Sequence, residues 1–164
     1  MTGTVTSGDG SAPWPSDLYA DLVEQLRRMS RRKTHVYPGA VLDNSAFAIL
    51  WVLADGRSRT LRELTVDLDL EQSTVNRQVN AAIKNGYLER IDVEGSLSKH
   101  IQPTELGRDT FRHDGQLRVD RLTRVFADLA PGDPESLCRQ LRAFNDAYDR
   151  VLGYRHGHEE PVAR

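Results

Sequence analysis

A chain of 164 residues has room for one domain with a real core and would be cramped as two. A formal charge of -2 and a sequence pI near 6.2 exclude a protein that coats nucleic acid indiscriminately, so any DNA binding must come from local placement of charge. The lone cysteine, Cys138, excludes an intramolecular disulfide framework, and no apolar run approaches the roughly 20 residues that span a bilayer. With no basic-then-apolar leader at the N-terminus, a cytoplasmic location is expected.

Residues 1–15, rich in Gly, Ser, Thr and Pro, are expected to be disordered, with Trp14 as an anchor at their end. From Ser16, a suitable N-cap, Leu18, Leu22, Leu26 and Met29 recur at helical spacing and predict a first helix to about Lys33. Its basic end, Arg27, Arg28, Arg31, Arg32 and Lys33, reads as a solvated face that complements the helix dipole in preference to a phosphate site. His35 to Gly39 breaks the helix at Pro38. Asp43 or Asn44 then caps a second helix whose Phe47, Ile49, Leu50, Trp51, Val52 and Leu53 are apolar on nearly every side, which predicts a buried central helix ending at Asp55-Gly56.

Thr60 and Glu63 have capping-box spacing, and Leu61, Leu64 and Leu68 supply the inner face of a short third helix. A tight turn at Asp69 and Leu70 leads into the stretch from Leu70 to Tyr87, which has two unlike faces. Val75, Val79, Ala82 and Ile83 form one apolar stripe; Ser73, Arg77, Asn80 and Lys84 form a polar one without a carboxylate. Solvated faces usually mix both signs, whereas a face aimed at phosphates and base edges has reason to exclude acids. Gly86 is the expected left-handed C-cap. Two short helices joined by a tight turn, the second polar outside, predict a helix-turn-helix.

Beyond Gly86 the pattern becomes extended. Leu88 to Val93 and Leu97 to Gln102 flank Glu94-Gly95-Ser96, predicting a hairpin, and a hairpin directly after a helix-turn-helix is a wing. Thr104 caps a long helix reaching about Ala130 with a weak point near Gly115; Asp133-Pro134 opens a last helix on which Leu137, Leu141, Phe144, Tyr148 and Val151 keep nearly heptad spacing. The tail after Gly153 is polar and expected to be mobile. The fold class is mainly α with a small β-hairpin (α+β). The outer helices carry more apolar stripe than a winged helix can cover, and a homodimer would bury it. Two recognition helices about 34 Å apart would then read a near-palindrome.

These residues resemble the MarR family of transcriptional regulators from about Ser16 to Leu152. The likeness is carried by Asp55-Gly-Arg57, Leu61-Arg-Glu-Leu64, Leu70-Glu-Gln-Ser-Thr-Val-Asn-Arg77, Asn85-Gly-Tyr-Leu-Glu-Arg90 and Thr104-Glu-Leu-Gly107. The resemblance implies a winged helix-turn-helix at about 43–104 and dimerisation helices at about 16–34 and 104–153, all within a domain of 16–153. It implies double-stranded DNA as partner and a small, often phenolic effector. It also implies a sequence-specific regulator, by expectation a repressor of a near-palindromic operator; with no phosphate-cradling glycine motif, nucleophile elbow or paired metal motif in the sequence, an enzyme is not expected. Ser73, Thr74 and Arg77 carry over as DNA contacts, with Gln72, Asn76 and Asn80 as weaker candidates; Lys84 joins them from the polar stripe, and Lys99 and Arg57 as nearby cations. Arg77 suits a phosphate or a guanine edge equally.

The sequence departs from the family pattern twice. Glu71 stands where the family has a better N-cap, and the wing tip, Asp92 to Lys99, is short and holds no arginine. From Asp55 to His100, seven basic residues face eight acids, a weak balance for phosphate neutralisation. It leaves Lys99, helped by Arg57 and Arg59, as the cation near the groove. It also keeps open an alternative, a winged-helix protein-interaction module with weak or lost DNA binding.

For a ligand site, His35, Tyr37, Phe47 and Trp51 are the candidates where the first loop approaches the second helix, although such residues are more often core. Cys138 is expected to be a buried small residue and not a redox sensor. The tail His156-Gly-His158 lacks the spacing of a metal site, and neither metal nor cofactor is expected.

Overall fold

The computed structural model describes residues 16–32 and 37–153. The expectations for 1–15, His35 and the tail from 154 lie outside the described residues. Helices α1 (Ser16–Arg32), α2 (Asn44–Val52), α3 (Leu61–Leu68), α4 (Gln72–Lys84), α5 (Glu105–Ala127) and α6 (Asp133–Leu152) alternate with strands β1 (Arg59–Thr60), β2 (Leu88–Ile91) and β3 (His100–Pro103). Contacts divide the chain into two units, 1–114 and 115–164. Among the described residues no helix is long and apolar enough to cross a membrane.

In the first unit the core lies where α2, α3 and α4 meet the sheet. Ile49, Leu50 and Leu53 meet Leu64, Val75, Val79 and Ala82, closed by Leu88 and Ile101 from the strands. Asp43 starts α2 by accepting the Ala46 amide at 2.8 Å, and a short 3-10 turn, Leu53–Asp55, ends it before Gly56 at φ 83°. The capping box at α3 is formed: the Glu63 amide donates to the Thr60 hydroxyl at 3.2 Å, and the Thr60 amide donates to the Glu63 carboxylate at 2.7 Å.

Four expectations about the helices and strands are corrected. Helix α2 is buried on one side only: Trp51 is 68% exposed, because the core reaches α2 through Ala46, Ile49 and Leu50. The hairpin strands are shorter than the alternation suggests, since β2 and β3 pair only from Leu88↔Pro103 to Ile91↔His100. Residues 92–99 form an eight-residue loop whose turn at Val93–Ser96 places Gly95 at φ 80°. A two-residue strand, β1, pairs with β3 and completes a three-stranded antiparallel sheet in the order β1-β3-β2. So short a segment has no alternation to betray it. Finally, Gly132, not Asp133, is the N-cap of α6.

A buried carboxylate fastens the loop before α2 to α5. Asp114 is fully buried and accepts the Leu42 amide at 2.8 Å and the Val41 amide at 3.1 Å. Charge-assisted bonds of this kind satisfy backbone donors that burial would otherwise orphan. In the second unit α6 has no buried residue; Leu137, Phe144, Tyr148 and Val151 are exposed, as are Leu18, Leu22, Leu26 and Met29 on α1 in the first unit. Cys138 is exposed too, against expectation, on a helix none of whose residues is buried.

Helix α5 runs through both Gly107 and Gly115, but only the first is sterically required. A Cβ at Gly107 would run into the Tyr87 carbonyl, whereas one at Gly115 meets open space. Chemical denaturation should therefore separate them: Gly107→Ala destabilises by about 1–3 kcal/mol through overpacking. Gly115→Ala stabilises by about 0.5–1 kcal/mol through helix propensity. Equal effects would remove the distinction.

Candidate nucleic-acid interface

The geometry of α4 follows from its two faces. Val75, Val79 and Ala82 are buried to 2% exposure or less, which fixes the rotation of the helix about its axis. Gln72, Ser73, Asn76, Arg77, Asn80 and Lys84 are consequently exposed together, and Thr74 is half-buried at the margin. At the C-terminal end the Tyr87 amide donates to the Ala82 carbonyl and the Gly86 amide to that of Ile83, both at 2.9 Å, with Gly86 at φ 80°. This paired closure turns the chain directly into β2. At the other end Asp69, at φ 51°, turns α3 toward α4, and Glu71 caps α4 with no side-chain hydrogen bond. The four amides of that first turn therefore lack a side-chain cap from Glu71.

The exposed face is internally connected. Arg90 on β2 donates from Nη2 to Asn80 Oδ1 at 2.8 Å, and Asn80 Nδ2 donates to Asn76 Oδ1 at 3.3 Å. Arg90 was a family-motif residue in the sequence with no role attached; a contact from the next strand back to α4 leaves no local signal.

The cations near the wing are differently placed. Lys99 Nζ sits 2.6 Å from both carboxylate oxygens of Asp92, so the wing's cation is neutralised locally. Arg57 is exposed and paired with Asp55 at 2.8 Å. Arg59 is removed from any groove: it is buried, donating to Asp55 at 2.7 Å, to Asp67 at 3.1 Å and to the Arg57 carbonyl at 2.9 Å. The Arg59 hydrogen bond, aided by the amide and side chain of Arg57 and opposed by partial burial, holds the Asp55 carboxyl far below the usual carboxylate range. The Thr60 amide and hydroxyl likewise lower Glu63. His100, at the base of the wing, lies between Ser58 Oγ at 3.1 Å and Ser96 Oγ at 3.2 Å.

Of the ligand candidates, Phe47 and Trp51 come together with their ring centroids 6.4 Å apart. Phe111 of α5 joins them at 4.8 and 6.2 Å. Tyr37 is half-buried in the turn closed by the Ala40 amide on its carbonyl. A cleft of about 260 Å³ beside the ring cluster is lined by Leu50, Leu53, Pro103 and Phe111 with Arg108 and Arg112. Among the described residues no group of three or more His, Cys, Asp or Glu is placed to hold a metal.

No protein-family model and no curated protein matches the sequence. Solved structures do match. A MarR family protein from Bacillus stearothermophilus superposes at a TM-score of 0.72 with 20% identity, over 82% of this chain and 98% of that one. An organohalide-sensing transcriptional regulator in its 2,4-dichlorophenol-bound form gives 0.67 and 17%, over 100% and 99%. BpsR of Bordetella bronchiseptica, whose DNA binding is regulated by 6-hydroxynicotinic acid, gives 0.62 and 17%, over 76% and 98%. The chain thus has the winged-helix fold of MarR family proteins.

The Asp55 environment makes acid stability testable. A folded-state pKa depressed below the unfolded value, near 4, contributes stability that is fully present above that value. It is lost as pH falls from there through the folded pKa. The stability gap between wild type and Asp55→Asn should hold constant above about pH 5 and shrink on acidification below about pH 4. A gap independent of pH in denaturant melts would refute the assignment.

Proposed function

We propose that this chain, with the fold of MarR family regulators, is a sequence-specific DNA-binding transcription regulator that acts as a homodimer, represses a near-palindromic operator and is released by a small aromatic ligand. The observation that carries the reading is the outer face of α4: exposed donors at Gln72, Ser73, Asn76, Arg77, Asn80 and Lys84, no carboxylate among them, on a helix whose inner face is sealed in the core. Such a face suits the major groove, where guanine and adenine edges and flanking phosphates accept hydrogen bonds. Arg77 is the principal contact and Lys84 a phosphate contact. The wing adds little charge, so α4 carries most of the recognition.

The dimer reading is supported by the apolar stripes on α1 and α6, which are exposed in a single chain and would be buried by a second copy. The ligand reading is supported by the Phe47, Trp51 and Phe111 rings and by the neighbouring cleft, apolar inside with Arg108 and Arg112 in its lining. That combination fits an aromatic ring with an anionic substituent. A second reading, a protein-interaction module, is favoured by the Lys99–Asp92 pair and the fully exposed Leu97 in the wing loop.

A mobility-shift assay on duplexes selected from random DNA tests the main reading. Arg77→Ala should weaken binding about five-fold or more, the lower end of what a good base or phosphate contact contributes. Adding 2,4-dichlorophenol should release the wild-type complex and release the Trp51→Ala complex less. Binding indifferent to Arg77→Ala would remove α4 from the groove, and recovery of no selected duplex would favour the protein-interaction module.

Sedimentation should find wild type as a dimer, with Leu22→Glu and Phe144→Glu shifting it toward monomer. A monomeric wild type at micromolar concentration would refute the two-fold arrangement.

A further inference from the structure

Arginine has only donors, so the first link on the α4 face dictates the direction of those that follow. Arg90 Nη2 lies 2.8 Å from the Asn80 amide, which must therefore turn its oxygen toward Arg90 and its nitrogen away. That nitrogen lies 3.3 Å from Asn76, one turn earlier, and can be met there only by Oδ1. The Asn76 carbonyl oxygen is thus engaged along the helix, and the Nδ2 group is the part left to face outward. All three residues are exposed, so this order is set by hydrogen bonding and not by packing.

We infer that Arg90 is a specificity-determining positioning residue: through Asn80 it turns the Asn76 amide so that its nitrogen, and not its oxygen, faces DNA. The inference rests on the DNA-binding reading of α4. A freely rotating asparagine matches adenine, donating to N7 while accepting from N6. An asparagine whose oxygen is turned along the helix toward Asn80 cannot set oxygen and nitrogen against one adenine together, even though that oxygen keeps a second lone pair, and favours guanine, whose N7 and O6 both accept. Arg90 acts on the base without touching it.

The test selects duplexes from random DNA with wild type, Asn76→Ala, Arg90→Met and Arg90→Lys. Wild type should prefer guanine over adenine about five-fold or more at one base pair per half-site, identified as the pair whose preference Asn76→Ala abolishes. Arg90→Met should turn that preference to adenine. Arg90→Lys, also a pure donor, should keep guanine, a rescue that a merely structural role would not require. An Arg90→Met motif unchanged in sequence but uniformly weaker in binding would make Arg90 a phosphate contact and overturn this inference alone. A wild type that selects no duplex overturns the DNA reading and this inference with it.

Discussion

The outer face of α4 depends on the burial of Val75 and Val79. These two side chains are completely enclosed, and they lie four residues apart on a helix of thirteen. At about 100° per residue, a rotation of α4 by one position would drive Asn76 or Asn80 into the core and bring valines to the surface. Burying an amide without partners and exposing two valines would together cost several kcal/mol. The polar face is therefore held in place by apolar chemistry on the other side of the helix.

Around that core the fold uses buried charge at two edges. Asp114 ties the segment ahead of α2 to α5 through backbone amides, and Arg59 joins Asp55 to Asp67 across the loop that leads into α3. A buried ionic group is weak evidence of net stability, but removing one partner is costly because it strands the other. The same logic separates the arginines of this region. Arg59 serves the fold, Arg57 stays at the surface, and Arg90 is spent on the amide of Asn80.

Much of this was legible in the sequence. Periodicity located α1, α3, α4 and α6, an apolar run located α2, Thr104 marked the start of α5, the spacing of Thr60 and Glu63 marked the start of α3, and Gly86 marked the end of α4, because these signals are local. What was not legible depends on residues far apart in the chain. The two-residue β1 exists only because β3 lies beside it, the burial of Asp114 requires Val41 and Leu42, and the exposure of Trp51 follows from which side of α2 the other helices choose. At the site, the outer face of α4 could be read from spacing alone. The neutralisation of Lys99 by Asp92 and the chain from Arg90 to Asn76 could not, since each joins side chains that only the hairpin and its loop bring together.

The three-stranded sheet also limits how the molecule can associate. Its free edges belong to β1, two residues long, and to β2, four residues long and carrying Glu89 and Arg90. An edge this short and charged is a poor template for strand addition, the usual route by which open sheets recruit another chain or aggregate. Self-association through backbone pairing is thereby disfavoured, and most of the large apolar side chains exposed among the described residues lie on helices.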